Sequence, residues 1–493
     1  MYDLVLRGGT VFDGFGTPGR TADVAVCDGR VARVGPGLAG RRVIDVAGLA
    51  VAPGFVDPHS HSDEVPFLDE AQPFKLYQGV TTEIAGNCGY SGGPLSDYLD
   101  AAEAAGTTNN LALLVGHNTL REAVAGQDRN LPEGGLDRML DLAGQAFAAG
   151  AFGFSSGLEY VPGAFAGIDE LIALGYVARR WNGTYATHMR SESEGLADAL
   201  DEAINVARSA GIRLQISHCK SSGRAVHGSS VMLLGKLTRA RRGGVDVRGD
   251  QYPYQAFCTS FTAVLPPEAS EGGQDALLAR LREPATRAAL RKAAEDPSRG
   301  TGSGFWRELH PDDVTILVHR DPAIAGRTLA GLGGDPWDAL CDLITGDPEA
   351  EGVFHTMHED DVAQIMADPL VSIGSDSGPP IGPNHPRTFG TFPRFLGTHV
   401  REGAVVPLQE AIRKMTSATA AQFALADRGW LAAGAIADIT VFDPGTISHA
   451  GTYEKPDVRP TGVRYVLLAG RPVIEDGEFT GGRHGRILRH NRP

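Results

Sequence analysis

The chain has 493 residues, 42% of them apolar, and a formal net charge of -15. That length is too great for one ordinary core but suits a large barrel with a smaller companion domain, and 30 prolines without a low-complexity run exclude a disordered chain. The acidic balance, with no clustered basic stripe to neutralise phosphates, excludes a nucleic-acid binder and leaves small-molecule chemistry.

The opening MYDLVLRGGTVFDG has no basic start followed by an apolar core and a small-residue cleavage site, and no stretch is apolar enough to span a bilayer. A cytoplasmic protein without membrane partners is expected. The five cysteines, Cys27, Cys88, Cys219, Cys258 and Cys341, are odd in number and form no CxxC pair, which fits a reducing compartment rather than a disulfide framework.

Along the chain, YDLVLRGGTVFDG, ADVAVCDGRVARVG and RVIDVAGLAVAPG alternate short β-branched runs with Gly and Asp turns, the pattern of antiparallel sheet. The same texture returns near the end in ADITVFDP and RYVLLAGRPVIEDGEF, so residues 1–54 and 425–493 are expected to build one small β-sandwich domain from both termini. The middle, 55–424, changes to apolar strands followed by amphipathic helices. Strands are predicted at VTTEIAG, LALLVGH, AFGFSSG, GTYATHMR, IRLQISHCK, VDVRGDQYPY and VSIGSDSG, and helices at GLDRMLDLAGQAFAAG, IDELIALGYVARRW and LADALDEAINVARSAG. Repeated βα units of this number predict an α/β fold, a (β/α)8 TIM-like barrel. Residues from about 265 to 350 break the rhythm with charged, Pro- and Gly-rich sequence and are expected to form an insertion or lid at the barrel mouth.

Chemistry-bearing residues fall at the ends of these strands. In GFVDPHSHSD, His59 and His61 sit one residue apart at a strand end, where the period of two puts both imidazoles on one side. TYATHMR ends in His188 and LQISHCK in His218; C-terminal strand ends of a barrel share one mouth, so all four imidazoles can meet. Singly, each histidine reads as a core residue satisfied by a carbonyl. Four at strand ends read as a metal site. Asp376 in VSIGSDSGPP follows the last strand, where a carboxylate can touch a metal and a water, although a turn role is its plain alternative. Cys88, between glycines in TTEIAGNCGYSGGP, is by itself a packed thiol, a redox group, a nucleophile or a ligand. No GxSxG elbow stands at a strand-to-helix turn, so a serine hydrolase is disfavoured.

The set HSHSD, QGVTTEIAGNCGYSGGP, LVGHNTLR, SSGLEYVPG, THMRSE, ISHCK, DQYPY, GSDSGP and HPRTFGTFPRFLG resembles the amidohydrolase superfamily, and more closely the D-aminoacylases (N-acyl-D-amino-acid deacylases), over nearly the whole chain. In many amidohydrolases a carboxylated lysine is the ligand after the early strands, whereas D-aminoacylases use a cysteine, which Cys88 matches. The resemblance implies Zn2+ held tightly by Cys88, His188 and His218, with His59, His61 and Asp376 at a second, weaker divalent site. It implies hydrolysis of N-acyl-D-amino acids to a D-amino acid and a carboxylate, with Asp376 as general base and then acid.

For substrate binding, Lys220 lies two residues beyond His218 and should point the same way, towards a carboxylate. The resemblance adds the hydroxyls of Tyr254 and Ser260 at the substrate carboxylate and Tyr160 near the scissile amide. Arg190 is a further anion contact or a buttress, and Met357 a pocket wall. His117, His355 and His358 read as structural, since the metal sites already have enough donors. Phe257 and Cys258 stand where relatives often carry smaller residues, which points to a different side-chain or acyl pocket. Arg190 and Lys220 leave a D-glutamate or D-aspartate preference open. Competing expectations are a cyclic-amide hydrolase of the dihydroorotase or hydantoinase type, which would more typically carry lysine at position 88, and a catalytically silent binding relative.

Overall fold

The computed structural model describes residues 1–300 and 304–490. Residues 301–303, within the expected insertion, and 491–493, at the end of the expected terminal domain, lie outside the described residues.

Eight parallel strands form the barrel, in the order Phe55–Asp57, Val80–Ala85, Asn110–Gly116, Gly153–Gly157, Thr184–His188, Arg213–Ile216, Val247–Gln251 and Val371–Ile373. Val80–Ala85 and Asn110–Gly116 are buried along their whole length, which explains runs such as LALLVG: both faces of a barrel strand are covered. The outer helices take the amphipathic pattern seen in the sequence. Leu196–Ala210 buries Leu196, Ala199, Leu200, Ala203, Ala207 and Ala210 on one stripe, and Gly211 ends it in the left-handed conformation at φ 69°. Truncating its Leu200 to alanine would cost about 2–5 kcal/mol.

Between the last strand and the first the ladder is reduced to one parallel bridge, Ser60 to Ser377, beyond the strand ends. Asp376 N donates to His59 O at 2.8 Å and His61 N to Ser377 O at 2.9 Å. This closure places the HxH segment against the Asp376 loop.

The two termini share a nine-stranded sheet in which Ala50–Pro53 pairs with both Tyr2–Val11 and Ile439–Phe442. Leu4, Val5 and Leu6 are all buried, so both faces of the first strand are covered, as a sandwich requires. The last described stretch does not stay with this sheet as the 425–493 assignment supposed. Leu111 N donates to Arg486 O and Leu488 N to Leu111 O, so the tail lies along the barrel, where it satisfies backbone groups at a strand end.

The insertion lies between Val247–Gln251 and Val371–Ile373, and begins earlier than composition suggested. Phe257–Ser260, Val314–Val318 and Glu351–Phe354 form a three-stranded antiparallel sheet, with Phe257 stacked on Phe354 at 4.9 Å. Phe261, Leu277, Leu281, Trp337, Leu340 and Ile344 give it a core of its own. Among the described residues no helix is long and apolar enough to cross a membrane.

Candidate metal centre

At the C-terminal mouth of the barrel a cavity of about 1060 Å³ runs from Cys88 and Asp376 up to the insertion strands. The donor atoms of His59, Cys88, His218 and Asp376 all lie within 4.8 Å of one another. Cys88 Sγ is 3.3 Å from His59 Nε2, 3.6 Å from His218 Nε2 and 3.9 Å from His188 Nδ1. Asp376 Oδ1 is 3.2 Å from His59 Nε2 and 3.1 Å from His61 Nε2. A sulfur, two imidazole nitrogens and a carboxylate oxygen are donor types zinc accepts, and those of Cys88, His59, His218 and Asp376 converge closely enough to share an ion, with His61 and His188 beside them.

Local backbone strain supports the convergence. Cys88, His218 and Asp376 have φ of 52°, 34° and 49°, a region that side chains other than glycine rarely occupy. Beside Cys88, a Cβ on Gly86 would lie 2.2 Å from Leu114 O, so that turn admits only glycine.

The outer nitrogens of the histidines face carboxylates. His188 Nε2 is 2.9 Å from Glu159, His218 Nδ1 is 2.8 Å from Glu192, and His59 Nδ1 lies 3.4 Å from Asp250 without a directed hydrogen bond. Such partners orient imidazole ligands and fix which nitrogen is free for a metal. Nothing in the spacing of these carboxylates marked them in the sequence.

The charges follow from this packing. Burial pushes the Cys88 thiol up, but the surrounding His59, His188 and His218 outweigh it and hold it well below the usual thiol range. Burial likewise disfavours the Asp376 carboxylate, yet Arg387, with His218 and His59, keeps it well below the usual range. Arg387 Nη1 lies 2.8 Å from Asp376 Oδ2. Spacing gave no sign of this arginine, which sits in the quoted HPRTFGTFPRFLG. His61 is pushed to about 9 against the effect of burial by Asp376 and Cys88, and His188 to about 10 by Glu192, Cys88 and Glu159. Burial and the nearby thiolate keep Tyr160 protonated and able to donate.

Of the residues expected to bind substrate, Lys220, Tyr160 and Ser260 line the cavity, and so do Phe257 and Cys258. Lys220 is not free, since Nζ lies 2.6 Å from Glu192 Oε2 and 2.8 Å from His218 Nδ1. Tyr160 OH is 3.2 Å from Thr259 Oγ1, and its ring centroid lies 4.6 Å from that of His188. Three others stand elsewhere. Arg190 pairs twice with Glu202 at 3.0 Å and donates to the Ala164 and Ala166 carbonyls, because an acidic helix and bare carbonyls lie nearer than the cavity. Tyr254 is buried and donates to Pro386 O, and Met357 belongs to the same apolar cluster beneath the mouth. His117 pairs with Glu170 at 2.6 Å, and His358 accepts from Asp360 N at the start of a helix.

Comparison with known proteins agrees with this geometry. A family model described as amidohydrolase family matches residues 42–214 and 263–474. A D-aminoacylase of Alcaligenes xylosoxydans xylosoxydans is 36% identical over 99% of this chain and 97% of its own length. A D-aminoacylase structure concerned with its binuclear metal centre is 35% identical with a TM-score of 0.86, covering 99% of this chain and 100% of that one. An N-acyl-D-glutamate deacylase of Bordetella bronchiseptica, complexed with zinc and a phosphonate inhibitor, is 32% identical with a TM-score of 0.84, covering 99% of each chain. The chain belongs to the amidohydrolase family, in its D-aminoacylase group, and is a metal-dependent hydrolase of linear amides.

Proposed function

We propose that the protein hydrolyses N-acyl-D-amino acids with uncharged side chains, using Zn2+. The observation that carries this reading is the meeting of Cys88, His59, His218 and Asp376 donors within 4.8 Å, with Cys88, His218 and Asp376 lining a cavity of about 1060 Å³. Cys88, His188 and His218 would hold the tight ion; His59, His61 and Asp376 would hold a second, weaker one. Cys88 Sγ also lies 3.3 Å from His59 Nε2, so the first trio adjoins the second. When bound, the ion polarises the amide carbonyl and makes water a better nucleophile near neutral pH.

The remaining work falls to side chains. Asp376, kept ionised, takes the proton of the attacking water and returns it to the departing nitrogen. Tyr160, kept protonated beside His188, donates to the carbonyl oxygen. Arg387 binds the substrate α-carboxylate; Nη1 makes no directed hydrogen bond despite its closeness to Asp376, so a donor remains for substrate. Ser260 adds a hydroxyl to the same wall.

Charge in the cavity favours uncharged side chains. Lys220 is neutralised by Glu192 and Arg190 is turned outward, so neither can receive a second carboxylate, while Glu349 and Glu351 line the wall. Rates measured on N-acetyl-D-methionine, its L enantiomer, N-acetyl-D-glutamate and hydantoin test the reading. Turnover is expected on the first alone or far above the rest. Turnover confined to hydantoin would overturn it, and a preference for D-glutamate would overturn the side-chain assignment.

A further inference from the structure

Lys75 lines no part of the cavity and has no role in the chemistry above, yet its side chain is wholly buried. Its ammonium lies 2.6 Å from Asp57 Oδ2, 2.6 Å from Ser375 Oγ and 3.1 Å from Glu83 Oε2. Removing a lysine ammonium from water is costly unless anions surround it, and here two carboxylates do. Those carboxylates are in turn fully engaged. Asp57 Oδ1 accepts from His59 N at 3.2 Å and Ser375 N at 2.9 Å, and Oδ2 accepts from Ser375 Oγ at 2.6 Å. Glu83 accepts from Ser62 Oγ at 2.7 Å and Asn109 Nδ2 at 2.6 Å.

The location of this network matters. Asp57 ends the first barrel strand and Ser375 follows the last, the two strands whose ladder is reduced to the Ser60–Ser377 bridge. Glu83 stands on the second strand, which continues into the Cys88 turn. Ser375 Oγ also lies 2.9 Å from Ser377 Oγ and 3.3 Å from His59 O. His59, His61 and Asp376 are therefore carried by the two segments that Lys75 and Asp57 strap together across the weak seam.

We propose that Lys75 is a positioning residue: through Asp57 and Ser375 it sets the distance between the HxH segment and Asp376, and so the weaker metal site and the proton-transfer geometry. The proposal rests on reading the site as a hydrolytic metal centre. Lysine supplies what a neutral residue cannot, a charge that holds two buried carboxylates at once and a donor to Ser375.

The test uses the full-length protein with Co2+ as probe, titrated into metal-stripped samples and followed by visible absorption, alongside kinetics on N-acetyl-D-methionine. Lys75→Met strands two buried carboxylates and threatens folding, so Ser375→Ala is the second variant; it leaves the ion pair and the Ser375 N–Asp57 Oδ1 bond intact and removes the hydroxyl that links Lys75 and Asp57 to Ser377 and the His59 carbonyl. In both, the weaker Co2+ step should lose about 10–100-fold in affinity while the thiolate-to-cobalt band of the tighter step persists. kcat should fall by about tenfold or more with KM little changed, as expected when proton-transfer geometry is lost and ground-state binding is not. Lys75→Arg should recover part of both. A folded Ser375→Ala protein with unchanged Co2+ titration and kcat would overturn the proposal, as would an equal loss in both Co2+ steps. If the unaltered protein takes up Co2+ but hydrolyses no N-acyl-D-amino acid, the deacylase reading falls and the Co2+ titration alone decides the role of Lys75.

Discussion

Arg387 and Asp376 form the ion pair at the heart of the cavity, 2.8 Å from Nη1 to Oδ2, with both side chains almost wholly buried. The guanidinium carbon lies over the Tyr252 ring, 4.9 Å from its centroid, and Nη2 donates to the Cys258 carbonyl at 3.5 Å, so the group is held on three sides. It thus lowers the Asp376 pKa and, in the proposed function, is the charge that would receive the substrate carboxylate.

Arg387→Met is expected to act twice. Loss of a charge-assisted contact worth roughly 1.5–3 kcal/mol lowers kcat/KM by about 10–100-fold. Without the guanidinium one of the charges that oppose burial is lost, so the Asp376 carboxyl rises and the acid limb of the rate profile shifts to higher pH. A pH–rate profile of the variant checks both; an unmoved acid limb would separate the arginine from Asp376.

Cys88→Ala and Asp376→Asn should fail differently. The first removes the only sulfur among the converging donors and is expected to leave little bound zinc and little turnover. The second should keep much of the tight ion while kcat falls by about 10²–10⁴-fold. Metal analysis beside steady-state rates distinguishes them, and a fully zinc-loaded, active Cys88→Ala protein would exclude the sulfur as a ligand.

Ion uptake should release protons. In the ion-free protein His61 and His188 titrate at about 9 and about 10, so both are charged at neutral pH and must lose a proton to serve as ligands. Cys88, whose thiol burial pushes up but His59, His188 and His218 hold well below the usual thiol range, is not the source of these protons. Affinity therefore weakens as pH falls. Calorimetry in buffers of different ionisation heat should show net proton release near pH 7.5, and a buffer-independent heat would contradict these charge states.

Away from the site, Glu170 pairs with Arg121 at 2.7 Å and with His117 at 2.6 Å, tying Ile168–Arg179 to His117–Ala125. Arg121 is 1% exposed, so Glu170→Gln leaves a buried cation without its anion and should cost about 3 kcal/mol. Burial raises the glutamate, but His117 and Arg121 outweigh it and lower its pKa. The contribution is thus present above the unfolded value of 4.5 and is lost as pH falls through the lower folded value. Denaturant unfolding at pH 7 and at low pH should show the wild-type advantage shrink on acidification.

Much of the fold was legible because local pattern and tertiary role coincide. Buried barrel strands must be apolar throughout, so LALLVG and VTTEIA announced themselves, and the outer helices kept one apolar stripe. The insertion was harder to bound: Phe257–Ser260 gains its strand character from pairing with Glu351–Phe354, a partner far along the chain. Arg190 illustrates the opposite error. It follows a ligand-bearing strand, and only Glu202 on the next helix decides that it turns away.

The sequence by itself determined the barrel with its terminal β domain and the family, and strand-end spacing marked His59, His61, His188, His218 and Asp376 as candidate donors, because those are properties of local stretches; Cys88 joined them only through the resemblance. The tertiary structure alone decided which charges are spent and which are free. Glu192 neutralises Lys220, Glu159 and Asp250 face the ligand histidines, Arg387 holds Asp376 ionised, and Lys75 straps the barrel seam. Each of those pairings joins residues 11 or more positions apart, where Coulomb attraction in a desolvated interior depends on distance in space, and a linear spacing carries no record of it.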